Sequence, residues 1–204
     1  MTSCRFSSGE GESPFDTSPY YQINKENFSR DAWQKPSEVI DLLGNIEDKV
    51  IADIGAGTGY FTFRMALKAK KIIAVEIDRN MIDLINAFKL NLPSDINHKI
   101  ETRLASPDNS KLGLHEADII VMINTVSYIE DKRGYLKHLH KLLPPEGRIM
   151  IVDYKTNNVP IKMNKGDYEL SYDELKEILK EIGYTDINVD QNSLDYQYIL
   201  LAGK

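Results

Sequence analysis

The segment VIADIGAGTGYFT, residues 50–62, decides the fold. It begins with a short, mostly apolar run, which is typical of a strand buried in a parallel sheet. Gly55, Gly57 and Gly59 follow at alternate positions, and a helix is predicted from about residue 60 to residue 69. Glycines in such a loop permit a tight turn and bring a ligand against bare backbone N–H groups at the start of a helix.

Strand and helix patterns alternate through the rest of the chain. Apolar strand runs are predicted at residues 72–75, 99–104, 119–123 and 147–153, separated by amphipathic helical patterns. This alternation predicts an α/β fold with helices on both faces of a mostly parallel sheet. The last two predicted strands, 185–190 and 195–202, are joined by a short turn and must therefore pair antiparallel.

The overall composition fits one globular domain. The chain has 204 residues, 42% of them apolar, and a formal net charge of −6, which disfavours a nucleic-acid partner. Residues 1–19 are predicted to be a disordered or loosely ordered tail, and residues 20–204 a single domain whose first part, 20–46, forms a helical cap. No apolar run is long enough to span a membrane, and a cytoplasmic location is expected. The alternative is a lipid anchor on Cys4, should an upstream signal be missing.

The chemistry around the glycine loop favours one kind of ligand. The spacing is GxGxG rather than the GxGxxG of nicotinamide and flavin binders, and the loop has no Lys or Arg for a phosphate. Asp53 ends the first strand, where a carboxylate suits a cation such as a sulfonium or an ammonium. Glu76 ends the second strand, about 20 residues further on, where an acidic side chain can accept hydrogen bonds from two ribose hydroxyls.

These two segments carry a family resemblance. Asp53 through Gly59 resembles motif I of the class I S-adenosylmethionine-dependent methyltransferases, and Ala74-Val-Glu-Ile-Asp78 is similar to their second motif. The resemblance extends over residues 36–204. It implies a Rossmann-like, open, seven-stranded sheet of order 3-2-1-4-5-7-6 with strand 7 antiparallel, and S-adenosylmethionine as cofactor.

The resemblance also implies a set of cofactor-binding residues. They are Asp53, Gly55, Ala56, Gly57, Gly59, Glu76, Ile77, Ser106, Asp108 and Asn124. Ser106 or Asp108 would accept a hydrogen bond from the adenine amine, although a simple turn at residues 107–108 is an alternative. Asn124 follows the fourth strand at the edge where open sheets bind ligands.

A finer resemblance links the chain to small bacterial methyltransferases of unassigned substrate. It is carried by Asp31-Ala-Trp-Gln-Lys-Pro36, Ser106-Pro-Asp-Asn109, Asn124-Thr-Val-Ser-Tyr128 and Tyr196-Gln-Tyr198. Members of that subgroup tend to have His at the positions of Ser127 and Tyr128, so no His-based chemistry is expected there. The four histidines are predicted to be solvated, and neither a metal site nor a catalytic residue is predicted.

Aromatic residues are the candidates for contacts with the methyl acceptor. Tyr128, Tyr154 and Tyr168 are hypotheses for this role. The N-terminal aromatic group (Tyr20, Tyr21, Phe28 and Trp33) either packs in the core or folds over the cofactor.

The predicted function is methyl transfer by in-line displacement to a small-molecule acceptor, which needs alignment more than a catalytic base. The alternatives are a protein or RNA acceptor, a non-catalytic S-adenosylmethionine-binding module and, least favoured, a nicotinamide oxidoreductase.

Overall fold

The structure, a computed structural model, describes residues 30–155 and 170–204. The predicted tail, the first ten residues of the predicted cap and Tyr168 lie outside the described residues. Residues 30–34 are helical and lead into a second short helix, α1 (Pro36–Asp41), which carries its proline in the first turn. A proline is tolerated there because the first N–H groups of a helix have no intrahelical partner.

Seven strands form the sheet. They are β1 (Val50–Ile54), β2 (Lys71–Glu76), β3 (Ile100–Leu104), β4 (Ile119–Ile123), β5 (Arg148–Tyr154), β6 (Thr185–Asp190) and β7 (Gln197–Gly203). The helices that follow α1 are α2 (Tyr60–Ala66), α3 (Arg79–Lys89), α4 (Ser94–Asn97), α5 (Lys132–Leu142) and α6 (Tyr172–Ile182), with a 3-10 turn at Val126–Tyr128.

The strands are arranged in the order β3-β2-β1-β4-β5-β7-β6. The first five strands pair in parallel, and β7 is antiparallel to both β5 and β6. The order and the antiparallel ending confirm the fold that the sequence predicted. In the pairing of β5 with β7, Gln197 lies opposite Tyr154, so the first residue of β7 lies beside the last residue of β5.

Alternating side chains of the strands enter two separate cores. Ile51 and Ile72 pack with α1, α2 and α3 on one face, whereas Ala52 and Ile73 pack with α5 and α6 on the other. Both faces are therefore covered, which explains the nearly continuous apolar runs of β1, β2 and β4. Functional groups must then lie at the edges of the sheet.

Two helix starts agree with the sequence pattern, and one helix end differs from it. Asp78 caps α3 by accepting a hydrogen bond from the Asn80 N–H, and Ser171 forms a capping box with Glu174 at the start of α6. The helix α2 ends at Ala66 rather than near residue 69, because the chain closes into a turn in which Lys68 and Ala69 both donate to the Met65 carbonyl.

The topology creates a crevice at the carboxyl edge of the sheet. The strand β1 lies between β2 and β4. From β1 the chain first builds β2 and β3 on one side of it, and then crosses to form β4 on the other side. Loops diverge at such a switch point, and ligands of open α/β sheets bind in the resulting crevice. Across the described ranges, no helix is both long and apolar enough to cross a membrane.

Candidate ligand-binding site

The glycine loop leaves β1 in a left-handed backbone conformation. The φ angles of Gly55, Gly57 and Gly59 are 77°, 55° and 83°, values that residues with a Cβ rarely adopt. The Gly55 and Ala56 N–H groups donate to the Val75 carbonyl at 2.9 and 3.1 Å, which ties the loop to β2. The Ala56 side chain is buried in the core, so this residue can offer a ligand only its backbone.

The two outer glycines are also required by close contacts. A Cβ at Gly55 would collide with the Thr125 side chain, and a Cβ at Gly59 would lie 2.6 Å from the Phe63 ring. At Gly57, by contrast, a Cβ would meet no atom within 4 Å. The middle of the loop therefore faces open space that a ligand can occupy.

Glu76 holds this loop from the end of β2. One carboxylate oxygen accepts a hydrogen bond from the Gly57 N–H at 2.8 Å. The other oxygen accepts from the N–H groups of Ile77 and Asp78 at 2.7 and 3.1 Å. The sequence predicted a carboxylate that accepts from ribose hydroxyls, but did not predict its bonds to the backbone. The Glu76 side chain thus holds the loop in its conformation and also lines the crevice, where its carboxylate can accept hydrogen bonds from a ligand.

Asp53 is buried beneath the loop. Its carboxylate is 3% exposed and accepts a hydrogen bond from the Thr62 hydroxyl at 2.6 Å, which fixes the start of α2. Burial raises the pKa of Asp53 to about 6, while the bond from Thr62 and the positive charge of Arg30 act in the opposite direction. Asp53 thus organises the loop and places a titratable charge below the crevice.

The turn after β3 forms the opposite wall. The Ser106 hydroxyl donates to the Asp108 carboxylate at 2.7 Å, and backbone hydrogen bonds join Ser106 and Asn109 in both directions. This bond from Ser106 lowers the pKa of Asp108, which keeps the exposed carboxylate charged. The turn alternative is therefore present in the structure, and the second Asp108 oxygen still provides an acceptor at the wall.

Asn124 follows β4 in a left-handed conformation, with φ of 55°. Its side-chain oxygen accepts a hydrogen bond from the Gln197 amide, and the Gln197 oxygen accepts from the Gln34 amide at 2.8 Å. Gln34 and Gln197 are fully buried. These three side chains are called the amide chain below. Because its oxygen is engaged, Asn124 presents an N–H donor, rather than an acceptor, to a ligand.

A single cleft of about 1100 Å³ runs along this edge. This is enough space for a nucleoside-sized ligand together with a second small molecule. Of the ten predicted cofactor-binding residues, six line it: Gly55, Glu76, Ile77, Ser106, Asp108 and Asn124. Asp53, Ala56, Gly57 and Gly59 do not line it: Asp53, Ala56 and Gly59 are buried, and Gly57 is half-buried beside the cleft. Cofactor binding by all ten residues remains a prediction.

The aromatic candidates lie at different depths. Tyr128 is 64% exposed and lines the cleft. Tyr154 is half-buried at the end of β5, where its ring packs against Trp33 at 6.1 Å between centroids, and burial raises the pKa of its hydroxyl. Trp33 also contacts Tyr196. Of the N-terminal aromatic group, Tyr20, Tyr21 and Phe28 lie outside the described residues, and Trp33 packs on the sheet edge beside the cleft.

One histidine departs from the predicted solvated role. The His140 ring packs edge-on against Tyr184 at 4.6 Å, and its Nε2 atom is buried with no partner among the described residues. Burial lowers the pKa of His140 accordingly. His138, on the same helix, lines the cleft. Residues 30–155 and 170–204 contain no cluster of side chains suited to hold a metal ion.

Sequence reasoning missed the residues that surround Asn124. Asp153 is buried at the end of β5 and accepts from the Ser127 hydroxyl at 3.0 Å and the Tyr154 N–H at 2.8 Å. Gln34 and Gln197 belong to two of the segments that carry the finer family resemblance, and no separate pattern marks either residue as part of a site. The amide chain joins three of the four segments that carry that resemblance, because each of its three residues lies in a different one. The presence of these segments together in one sequence was therefore the signal that could have indicated their contact.

Comparisons with known proteins agree with the predicted family and fold. A family model described as "Methyltransferase domain" matches residues 52–149, which include the glycine loop, Glu76 and Asn124. In solved structures, a SAM dependent methyltransferase from Aquifex aeolicus superposes with a TM-score of 0.74 at 21% identity, covering 89% of this chain and 96% of that one.

Two curated relatives differ in what they are named for. Phosphoethanolamine N-methyltransferase 3 of Arabidopsis thaliana is 22% identical over 192 residues, which cover 89% of this chain and 38% of the relative. Ribosomal RNA small subunit methyltransferase A of Koribacter versatilis is 30% identical over 141 residues, which cover 68% of this chain and 42% of the relative. The chain thus aligns with less than half of the length of either protein.

Proposed function

Since the chain belongs to the class I S-adenosylmethionine-dependent methyltransferases, we propose that it transfers a methyl group from this cofactor to a small-molecule acceptor. S-adenosylmethionine is the methyl donor of the family. The observation that supports the proposal most strongly is the contact between Glu76 and the glycine loop at the mouth of the cleft.

The described residues fit this cofactor. Glu76 would accept hydrogen bonds from the ribose hydroxyls, and the open space beside Gly57 would admit the ligand against the loop backbone. Ile77 is 57% exposed at the cleft and offers an apolar surface for the adenine ring. Asp108 would accept from the adenine amine. The negative charge of Asp53 below the loop favours a ligand that carries positive charge.

The contribution of the protein to the reaction is alignment. When bound, the cofactor supplies an electrophilic methyl group on a sulfonium. An in-line displacement gains most of its rate when the acceptor is held close and water is excluded. The walls that face the cleft beyond Asn124 include Tyr128, which can restrict how the acceptor approaches. None of the described groups at the cleft needs to act as a base for an acceptor that is already nucleophilic.

Charge supports a small-molecule acceptor over RNA. The chain has 31 acidic and 25 basic residues, and a phosphate backbone is bound mainly through an excess of Lys and Arg. One relative is named for phosphoethanolamine, a small molecule, and another for ribosomal RNA. The alternatives are therefore an RNA or protein acceptor, or a module that binds the cofactor without reaction.

Formation of S-adenosylhomocysteine tests the proposal. The purified protein is incubated with S-adenosylmethionine and, separately, a small-metabolite extract, total RNA or a protein extract, with the Glu76→Ala variant as control. We expect the product only with the metabolite extract and only with the wild type. Product formed with RNA or protein alone would contradict a small-molecule acceptor. Tight cofactor binding without product in any arm would indicate the non-catalytic module.

A further inference from the structure

The 3-10 turn at Val126–Tyr128 carries an exposed tyrosine into the wall of the cleft. Tyr128 is 64% exposed and lines the cleft, so its position depends largely on the backbone of the turn. Within the turn, the Tyr128 N–H donates to the Thr125 carbonyl at 3.1 Å and the Ile129 N–H to the Val126 carbonyl at 3.2 Å. Bonds of this type have poorer geometry than those of an α-helix. Further contacts must therefore fix the turn.

Two contacts fix the turn to the rest of the fold. The Val126 side chain is buried in the core that faces α5 and α6. Asp153, at the end of β5, binds the next residue of the turn: one carboxylate oxygen accepts from the Ser127 N–H at 3.2 Å and from the Ser127 hydroxyl at 3.0 Å. The other oxygen accepts from the Tyr154 N–H at 2.8 Å, which fixes the rotation of the carboxylate.

Asp153 is buried at a cost in free energy. It is 2% exposed, and no ion pair reaches it from residues 30–155 and 170–204. Burial raises the pKa of Asp153, and the bonds from Tyr154 and Ser127 act in the opposite direction. Its three donors bond to both oxygens, and an amide would offer only one oxygen and direct its own N–H groups at a donor. The arrangement therefore requires a carboxylate at this position.

We propose that Asp153 is a positioning residue for methyl transfer: it holds the turn through Ser127 and thereby fixes Tyr128 against the methyl acceptor. Alignment is what an in-line displacement requires of the protein, and a displacement of about 1 Å can lower the rate about 100-fold. The cofactor residues of β1 and β2 make no contact with this carboxylate, so their affinity for the cofactor should not depend on it. The inference rests on the proposed function, because it assigns Tyr128 a contact with the acceptor.

Transfer rates of three variants test the proposal. S-adenosylhomocysteine formation is measured at several dilutions of the small-metabolite extract, and S-adenosylhomocysteine affinity is measured by calorimetry. We expect Asp153→Asn to lower the rate at saturating extract by about 10- to 100-fold, at an affinity within about twofold of the wild type. Ser127→Ala keeps the bond from its N–H and should be intermediate. Asp118→Asn is the matched control, because Asp118 accepts from the Val50 N–H at 2.8 Å at the opposite edge of the sheet, and it should keep the wild-type rate.

A double variant tests whether Asp153 acts through Tyr128. Tyr128→Ala removes the side chain that the turn positions, so it should lower the rate by itself. Adding Asp153→Asn to Tyr128→Ala should then change the rate by less than about threefold, because little is left to position. Two losses that multiply fully would overturn the proposal.

Hydrogen exchange tests the turn without any acceptor. With S-adenosylhomocysteine present, the segment 125–129 of Asp153→Asn should exchange about tenfold faster than that of the wild type, and the loop 55–59 should be unchanged. Equal exchange of the segment 125–129 in both proteins would show that Asp153 does not fix the turn, and would overturn the proposal.

The proposal is also overturned if Asp153→Asn, folded as shown by its circular dichroism, transfers methyl groups at the wild-type rate. The same holds if Asp118→Asn loses as much activity, because the loss would then reflect stability alone. Should Asp153→Asn fail to fold, a wild-type rate and wild-type exchange in Ser127→Ala overturn it. Failure of the proposed function is a distinct result: the wild type itself would form no S-adenosylhomocysteine with the extract, and the exchange measurement would still decide whether Asp153 fixes the turn.

Discussion

The two halves of the carboxyl edge hold their groups by different means. Over β1 and β2, the Glu76 carboxylate accepts from three backbone N–H groups, including that of Gly57. Over β4, β5 and β7, side chains bond to side chains, as in the amide chain that joins Gln34, Gln197 and Asn124. The first half uses atoms that every residue has, whereas the second half depends on the identity of residues far apart in sequence.

This difference has consequences for substitutions. In the first half, the backbone conformation is essential, so changes at glycines should act strongly on ligand affinity. In the second half, the donors and acceptors are buried, and the loss of one leaves its partner without a hydrogen bond. Changes in the amide chain should act on stability and reach the ligand only through Asn124. The predictions below test this division.

The largest effect is expected at Gly55. Gly55→Val requires a left-handed conformation that β-branched residues avoid, and its side chain would collide with Thr125. We expect the affinity for S-adenosylhomocysteine to fall by more than about 100-fold, which corresponds to about 3 kcal/mol. Calorimetry measures the affinity, and urea denaturation measures the accompanying loss of stability.

Gly44→Ala is the matched control for this variant. Gly44 has a similar φ of 72°, a Cβ there would meet no atom within 4 Å, and the residue lies outside the cleft. It should lose about 1–2 kcal/mol of stability at unchanged affinity. Equal affinity of Gly55→Val and Gly44→Ala for the ligand would show that the glycine loop is not the site.

The next effect concerns the middle of the amide chain. Gln197→Leu leaves the Gln34 amide and the Asn124 oxygen without partners, and we expect a loss of about 2–4 kcal/mol in the free energy of unfolding. Gln34→Leu interrupts the same amide chain at one of its ends, where Gln34 donates to Gln197. If the two residues act as one unit, the double variant loses much less than the sum of the single losses. Simple additivity in urea denaturation would exclude such coupling.

The smallest of these effects is the pH dependence of stability that arises from Asp53. Its pKa rises from 3.8 in a reference peptide to about 6 in the folded chain, so the folded state binds the proton more tightly than the unfolded state. Stability from this group is therefore full below about pH 4 and is lost as the pH rises through about 6, by about 2–3 kcal/mol.

Asp53→Asn removes this titration while an amide oxygen remains for Thr62. The difference in unfolding free energy between this variant and the wild type should thus increase between pH 4 and pH 7 in favour of the variant. Urea denaturation at several pH values measures it. A difference that is constant with pH would show that Asp53 does not titrate in this range.

The sequence contains most of the information about the first half. The glycines, Asp53 and Glu76 occur within 24 residues of one another, and their spacing reflects the local path from a strand through a loop into a helix. The antiparallel pairing of β6 and β7 could be inferred because their connection is too short for parallel pairing, whereas the order of the strands was implied only by the family resemblance. The backbone bonds of Glu76 and the bond from Thr62 to Asp53 were not predicted, since a pattern of residue types does not specify where a carboxylate rotates.

The second half could not be predicted in the same way. Gln34 and Gln197 are 163 positions apart, and their contact depends on the register of β7 against β5 and on the packing of the N-terminal helix. Neither residue lies in an amphipathic pattern that marks it as buried. The partial burial of Arg30 and the burial of Asp153 likewise depend on tertiary contacts, which local sequence does not encode.

A calorimetric titration of S-adenosylhomocysteine tests the central claim, that the glycine loop and Glu76 form the adenosyl-ligand site. The wild type should bind with one site per chain and show no heat with NAD. Glu76→Ala removes the acceptor for the ribose hydroxyls and for three backbone N–H groups, so its affinity should fall by about 10- to 1000-fold, at about 1.4 kcal/mol per factor of ten. Saturable NAD binding by a wild type that ignores S-adenosylhomocysteine, or unchanged affinity in Glu76→Ala, would contradict the claim.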